Sequence, residues 1–143
     1  MNVDAILRTK GAGVKTARPD WTVLQAVEKL TEHGVGALVV SADGQRIVGI
    51  ISERDVMRQI ASGGPSTLER SVEEVMVRDV ITCTRNDTVN HLMTLMTEGR
   101  FRHVPVVDDG LLVGLVSIGD VVKRRIEETE HEAEALRQYI STG

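Results

Sequence analysis

The chain has 143 residues, of which 41% are apolar, 27% charged and 2% aromatic, so it can form one compact domain or two small lobes. Its formal net charge of −4 argues against DNA or an anionic membrane as a partner, since both attract clustered positive charge. The chain lacks the regions of a signal peptide and any apolar run near the ~18 residues of a membrane span. A cytoplasmic protein without a nucleic-acid or membrane partner is therefore expected.

Two copies of one segment lie end to end along the chain. A shift of 66 places sets residues 14–23 on residues 80–89, and after a one-residue gap a shift of 65 sets residues 48–56 on residues 113–121. One copy of roughly 50 residues buries too little surface to fold well alone. The sequence therefore predicts two copies that pack face to face around a pseudo-twofold axis, with paired clefts between them.

Each copy predicts the element order β-α-β-β-α. The first helix follows Thr22 or Thr88, and its expected core stripes are Leu24, Val27 and Leu30 in copy one and Leu92, Leu95 and Met96 in copy two. Two strands follow, each pair joined by a tight Asp-Gly turn: residues 35–40 and 47–51 in copy one, and 103–107 and 112–116 in copy two. Their nearly continuous apolar runs indicate burial on both faces of an α/β fold.

The repeat boundaries divide the chain into four parts. Residues 10–62 form the first repeat, 63–75 a linker, 76–126 the second repeat and 127–143 a C-terminal helical extension. A heptad-like seam runs along this long C-terminal helix; this C-terminal seam consists of Val122, Ile126, Thr129, Ala133, Leu136 and Ile140. One small lobe cannot cover it all, which favours packing on a second copy of the chain. The alternative is a helix that folds back on its own domain.

The pattern Gly-h-h-Ser-x-x-Asp, in which h is apolar, occurs at residues 49–55 and again at residues 114–120. One interpretation is a helix amino terminus at which the serine caps the backbone and the aspartate complements the helix dipole. The other is a ligand site, in which free N–H groups of the helix bind a phosphate and the carboxylate accepts hydrogen bonds from a ribose diol. Both interpretations can hold for the same residues.

Two adjacent residues at the start of a strand favour the ligand interpretation. Arg102 and His103 can clamp a phosphate, and the repeat sets them opposite Gly36 and Ala37, which leave room for a flat base. The alternative is a solvated pair at the lip of a sheet.

Other candidate residues favour structural roles. The single cysteine, Cys83, excludes an internal disulfide and lies in a β-branched stretch typical of a buried small hydrophobe. His33 and His91 have no second ligand at metal spacing, so no metal site is expected. Ser52 and Ser117 each have an acid nearby but no histidine, so nucleophilic catalysis is not expected.

Taken together, the tandem β-α-β-β-α repeat, the duplicated motif, the strand RHVPVV and the connector ending in Val75-Met76 resemble a cystathionine-β-synthase-type (CBS) domain pair, also called a Bateman module. The resemblance covers roughly residues 10–126. It implies a non-catalytic regulatory module that senses an adenine nucleotide, AMP foremost and otherwise ATP or NAD(H), between its repeats. It implies no catalytic cofactor. The expected partners are the nucleotide, a second copy of the chain and an unidentified target protein.

The resemblance also implies two sets of site residues. In one cleft, here the Asp120 cleft, Asp120 would bind the ribose, and Ser117, Arg102 and His103 the phosphate. Its adenine pocket would be formed by Lys10, Gly11, Val14, Val35, Gly36, Ala37 and Leu115. The other, the Asp55 cleft, would use Ser52, Arg54 and Asp55, with Met76, Val77, Val80 and Thr82 at its base. The Asp120 cleft is the expected principal site because of its Arg-His pair.

A function of another class stays open on the sequence alone. The two Ser-x-x-Asp motifs can be helix caps only, and the C-terminal helix can recruit a partner without any ligand. The protein would then be a ligand-independent interaction and dimerisation module.

Overall fold

The computed structural model describes residues 1–11 and 13–142. Its helices are α1 (Val3–Lys10), α2 (Val23–His33), α3 (Glu53–Gly63), α4 (Val72–Val75), α5 (Val89–Gly99) and α6 (Ile118–Thr142), with a 3-10 turn at Pro65–Glu69. Its strands are β1 (Thr16–Ala17), β2 (Ala37–Val40), β3 (Gly49–Ser52), β4 (His103–Asp108) and β5 (Leu111–Ser117). Ala12, between the expected pocket residues Gly11 and Val14, and Gly143, the end of the expected extension, lie outside the described residues.

The first repeat has the expected order β-α-β-β-α. β1 pairs parallel with β2, and β2 pairs antiparallel with β3, with Ala37 opposite Ser52. α2 begins at a capping box, in which the Thr22 hydroxyl accepts from the Gln25 N–H and the Gln25 side chain accepts from the Thr22 N–H. It ends at Gly34, whose left-handed backbone (φ 62°) suits a residue without a Cβ atom.

The second repeat follows the same order, but its leading strand is reduced to one bridge. Cys83 pairs parallel with Val106, as Ala17 pairs with Val40 in the first repeat. Pro105 has no N–H group, so it cannot donate the next hydrogen bond of this ladder. β4 and β5 then pair antiparallel, with a register shift after Val106.

Each repeat has its own core, and each core is completed by the segment that precedes the other repeat. The segment around α4 adds Val72, Val75 and Met76 to the first core, and α1 adds Val3, Ile6 and Leu7 to the second. Backbone bonds follow the same symmetry: the Val23 N–H donates to Arg70 O at 2.8 Å, and the Val89 N–H donates to Met1 O at 3.1 Å. These crossing segments tie the two repeats together.

The motif glycines allow the crossing segments to approach the last strand of each repeat. A Cβ atom at Gly49 would overlap Met76 Sδ and lie 3.0 Å from Val77 O, and one at Gly114 would lie 2.5 Å from Leu7 Cδ2. The first residue of each motif therefore has a packing role that does not depend on any ligand.

The connection between β2 and β3 is an open loop over residues 41–48, and the expected tight turn is wrong there. Oδ1 of Asp43 accepts from the Ser41 hydroxyl and from the N–H groups of Gln45 and Arg46, and these bonds hold the wider loop. The tight turn is confirmed in the second repeat, where Asp109 and Gly110 have φ of 50° and 78°.

One member of the expected α2 stripe is also wrong. Leu24 is 44% exposed, whereas Val23 and Ala26 are fully buried and Val27 packs against the same core. The helix is rotated so that its first residue faces inward, toward the α4 segment.

α6 is one unbroken helix from Ile118 to Thr142, and the expected boundary after residue 126 lies inside it. Its start packs on α5, β5 and α1, with Val121 buried. Farther along, the C-terminal seam is not covered by its own domain, because Ile126, Leu136 and Ile140 are 53%, 60% and 68% exposed. Among the helices of the described ranges, none is long and apolar enough to span a membrane.

Candidate functional site

A cleft of about 280 Å³ opens between the two repeats, beside the first motif. This volume is near the lower end of the ~300–1,000 Å³ of small-molecule sites. The lining residues come from both repeats and their connection; they are Gly36, Ile50, Ser52, Glu53, Arg54, Asp55, Arg58, Val77, Asp79, Val80, Ile81, Gly99, Arg100, Phe101, Arg102 and His103. The cleft corresponds to the expected Asp55 cleft.

The first motif forms a complete capping box at the amino terminus of α3. The Ser52 hydroxyl accepts from the Asp55 N–H at 3.2 Å, while Oδ2 of Asp55 accepts from the Ser52 N–H at 2.9 Å and from the Ser52 hydroxyl at 2.8 Å. Within the described ranges these bonds leave Oδ1 of Asp55 without a partner. The carboxylate can therefore cap the helix and still accept a hydrogen bond in the cleft.

Arg102 and His103, which were expected beside Asp120, both line the Asp55 cleft. The backbone of His103 does pair with Ser117 of its own repeat. Its ring, however, reaches across the interface: Nε2 lies 3.3 Å from the position that a Cβ atom at Gly36 would occupy. The start of β4 thus faces the first repeat, and Gly36 makes room for it.

His103 is a weakly basic histidine in this position. Burial lowers its pKa below the ordinary value of 6.5, and the positive charges of Lys10 and Arg102 act in the same direction against Glu53 and Asp120. At neutral pH its ring is uncharged, so it can donate or accept one hydrogen bond in the cleft.

In the Asp120 cleft, the motif carboxylate is paired with a lysine side chain. Nζ of Lys10 lies 2.8 Å from Oδ2 of Asp120 and 2.7 Å from the carbonyl oxygen of Leu115, and Oδ2 also accepts from the Ser117 N–H at 2.9 Å. Burial alone would raise the pKa of Asp120, but the bonds from Lys10 and Ser117 outweigh it and the pKa is lowered. The expected proximity of Lys10, Leu115, Ser117 and Asp120 is confirmed, with the lysine on the carboxylate itself.

A second, smaller cavity of about 220 Å³ adjoins this ion pair, between α1 and α6. Besides Lys10 and Asp120 it is lined by Ile6, Thr9, Lys123, Arg124 and Glu127. It shares no lining residue with the Asp55 cleft.

The other expected site residues are spread over several places. Val77, Val80 and Arg54 line the Asp55 cleft, while Met76 is buried against Gly49. Val35 and Gly36 border a shallow groove beside Glu53, and Ala37 is buried in β2. Gly11 ends α1 and is exposed, Val14 is half-buried, and Thr82 is exposed and absent from the lining of the Asp55 cleft.

Arg58 and Arg100 line the Asp55 cleft but were not among the expected site residues, although the sequence contains a signal for each. Arg58 follows Arg54 by four residues, which places both on one face of α3. Arg100 is the counterpart of Gly34 in the repeat, and it ends α5 in the same left-handed conformation (φ 57°). When the two sequence copies are compared, Arg100 is unusual because it stands where the first copy has a helix-ending glycine.

Cys83 is 3% exposed, so the expected buried cysteine is confirmed, and burial raises the pKa of its thiol to about 12. Nε2 of His33 is buried, and no hydrogen-bond partner for it is found among the described residues. In that same part of the chain no three His, Cys, Asp or Glu residues are grouped as metal ligands would be.

A family model of the CBS domain matches residues 6–62 and 72–127, one match for each repeat. The chain belongs to the CBS domain family. The CBS domain pair is thus the fold in which the two motifs and the interrepeat cleft occur.

Related proteins support the same assignment. The CBS domain-containing protein CBSX3, mitochondrial, of Arabidopsis thaliana is 39% identical over 152 aligned positions, which cover 99% of this chain and 72% of that protein. The CBS-domain protein ATU1752 from Agrobacterium tumefaciens has a crystal structure that superposes with a TM-score of 0.84 at 44% identity, covering 87% of this chain and 99% of that one.

A further structural relative was solved with ligands. The CBS domain pair of protein MJ0100, in complex with 5′-methylthioadenosine and S-adenosyl-L-methionine, superposes with a TM-score of 0.78 at 28% identity. The match covers 90% of this chain and 98% of that one.

Proposed function

We propose that this CBS domain pair is a non-catalytic regulatory module that binds an adenine nucleotide in the Asp55 cleft. The proposal rests on the convergence of Asp55, the amino terminus of α3, and Arg102 and His103 of the other repeat on one cleft. Adenosine derivatives bound to the CBS pair of MJ0100 support an adenosine-type ligand.

Each part of a nucleotide has a suitable group in this cleft. Oδ1 of Asp55 can accept from a ribose hydroxyl, while Arg102 and the Arg54 N–H at the start of α3 suit a phosphate. Ile50, Val77 and Val80 offer apolar contact for the base. AMP, ATP and NAD(H) all carry the required adenosine and phosphate.

The Asp55 cleft, and not the Asp120 cleft, is proposed as the principal site. A ribose at Asp120 would have to compete with the ammonium group of Lys10 for the carboxylate. Such a charge-assisted hydrogen bond is worth about 1.5 to 3 kcal/mol before solvent screening, and the partial exposure of this pair lowers that value.

A thermal-shift panel of AMP, ADP, ATP, NAD, NADH and S-adenosylmethionine tests whether a nucleotide binds. A ligand at about 100 times its Kd should stabilise the fold by roughly 2.7 kcal/mol. No shift with any of them would favour a ligand-independent interaction module.

Two matched variants then test which cleft is used. Asp55→Asn removes the charge and one acceptor, so it should weaken binding on the order of ten- to a hundredfold. Asp120→Asn alters the equivalent capping position of the other repeat and should cost much less affinity. A larger loss for Asp120→Asn would move the site to the other cleft, and equal small losses would mean that both motifs only cap their helices.

We also propose that the C-terminal seam pairs with the same seam of a second copy. Support comes from its exposure and from the charges beside it. In a parallel, in-register pair, Arg125 would face Glu130 of the second copy, and Glu132 would face Arg137 of the second copy. The seam thus has both an apolar surface to bury and a complementary charge pattern.

A further inference from the structure

The arginines of this protein fall into two groups. Of the thirteen, eight form an ion pair with a carboxylate. Of the other five, Arg46 lies in the β2–β3 loop, and the remaining four line the Asp55 cleft; they are Arg54, Arg58, Arg100 and Arg102. The arginines without a carboxylate partner in the described ranges are therefore concentrated at one place.

Nearby acids offset the charge of this cluster only in part. Glu53, Asp55 and Asp79 also line the cleft, but none of them comes within 4.0 Å of a guanidinium nitrogen in the part of the chain that the structure describes. Asp55 is held by Ser52 through the capping box. Four guanidinium charges against three carboxylate charges leave a net positive charge of one in the cleft, which favours an anionic ligand.

Arg100 reaches the cleft from a backbone conformation that favours glycine. It has φ 57° and ψ 37° at the end of α5, and Gly34 has φ 62° and ψ 36° at the same place in the first repeat. A Cβ atom is disfavoured in this left-handed region. Backbone strain of this kind clusters at ligand sites, and the Arg100 side chain lines the cleft.

We propose that the Asp55 cleft selects adenine nucleotides with two or more linked phosphates, and that Arg100 is a specificity-determining residue for the second phosphate. This rests on the proposed nucleotide binding. The N–H groups of Glu53 and Asp55 already donate to Gly36 O and to the Ser52 hydroxyl, so the Arg54 N–H at the start of α3, with Arg102, is available for one phosphate. Arg100, with Arg54 and Arg58 on neighbouring α3, then supplies planar donors that can each engage phosphate oxygens in two parallel bonds.

Titration calorimetry with adenosine, AMP, ADP and ATP on the full chain and on Arg100→Gly tests the proposal. The unmodified protein should bind ADP about tenfold or more tightly than AMP, as expected for one added charge-assisted contact. Arg100→Gly should lose this step while its affinity for adenosine and AMP stays within roughly twofold, and its Tm should be unchanged or higher because glycine suits the left-handed region. Arg100→Asn, which also tolerates that region, should behave in the same way.

Arg46→Gly is the matched control, because it removes the same charge from an arginine outside the cleft. It should leave all four affinities unchanged. Equal affinity of the unmodified protein for AMP and ADP would overturn the proposal but leave nucleotide binding intact. An equal loss for every ligand in Arg100→Gly, or the same effect in Arg46→Gly, would also overturn it, and no binding of any of the four would overturn both this proposal and the proposed function.

Discussion

Nζ of Lys10 lies 2.8 Å from Oδ2 of Asp120, so the amino-terminal helix holds the acidic residue of the second motif. The same ammonium group donates to Leu115 O at 2.7 Å. In the first repeat the equivalent carbonyl, that of Ile50, accepts instead from the backbone N–H of Val77 at 2.9 Å. The two carbonyls have different partners because the crossing helices differ in length. α1 has eight residues and reaches as far as Lys10, whereas α4 has only four residues and the chain after it is extended.

Replacing Lys10 should leave the Asp120 cleft, like the Asp55 cleft, with a carboxylate that can accept a hydrogen bond from a ligand. Lys10→Met keeps the apolar stem of the side chain but frees Asp120, so nucleotide binding in the Asp120 cleft should strengthen by about tenfold once screening is allowed for. Titration calorimetry should then resolve a second binding event for each chain. Arg8→Met is the control, because Arg8 lies on the same helix and pairs with Asp4. A single, unaltered event in Lys10→Met would show that Lys10 does not restrict the second cleft.

The stability of the fold should depend on His103 in mildly acidic solution. Burial, aided by Lys10 and Arg102, keeps the pKa of His103 below 6.5 in the folded chain. The unfolded chain therefore takes up a proton at this residue at a higher pH than the folded chain does. Its contribution to stability is complete above pH 6.5 and falls as the pH drops toward the folded pKa.

His103→Asn should accordingly flatten the loss of stability between about pH 7 and 5, measured as denaturation midpoints at several pH values. His91→Asn, at an exposed position of α5, is the control and should retain the profile of the unmodified protein. A profile that His103→Asn leaves unaltered would contradict the assignment of this pH dependence to His103.

Gly49 should be intolerant of even a methyl group. Gly49→Ala would press a Cβ atom on Met76 and on the backbone carbonyl of Val77, so unfolding free energy should fall by about 1 to 3 kcal/mol in denaturant titrations. Gly119→Ala is the matched control in the second motif, because the nearest atom to its Cβ, the Ser117 hydroxyl oxygen, is 3.6 Å away. Equal stability of the two variants would mean that the crossing segment adapts without cost.

The repeat and its elements could be predicted from sequence because their signals are local. Glycine, serine and aspartate coincide when the two copies are superposed, and the capping box that the serine and aspartate form lies within one turn of helix. The open β2–β3 loop was not predictable from an Asp-Gly pair, since it depends on three hydrogen bonds to Asp43. The exposure of Leu24 was not predictable either, because the rotation of α2 depends on its tertiary contact with α4.

The contents of the two clefts depend on contacts between distant parts of the chain. Repeat symmetry shows that Arg102 is equivalent to Gly36, but it does not show that both residues face the same cleft. Likewise, nothing in the spacing of the motif indicates that Lys10 meets a carboxylate 110 residues away. Pattern analysis therefore identified most of the groups but could not show that Arg102 and His103 line the Asp55 cleft.

Self-association should depend on the far part of α6. A chain truncated after Arg125 keeps both motifs and the buried Val121 but loses most of the C-terminal seam. Sedimentation should show that this truncated chain is largely monomeric at concentrations at which the full chain is a dimer. A dimer of unchanged stability would show that other surfaces of the repeats hold the subunits together.

The register of this dimer can be tested by exchanging two charges. In the parallel arrangement Glu132 faces Arg137 of the second copy, so Glu132→Arg alone and Arg137→Glu alone should each weaken the dimer, while the double variant should restore it. Exposed ion pairs are worth only about 0.2 to 1 kcal/mol each, and the twofold symmetry doubles the effect, so each single variant should raise the dimer Kd by about twofold or more once repulsion is included. In an antiparallel pair shifted by one heptad, Glu132 would face Arg125 of the second copy instead, because positions that flank the seam on the same side then meet. A double variant as weak as the single variants would therefore exclude the parallel register and favour the antiparallel one.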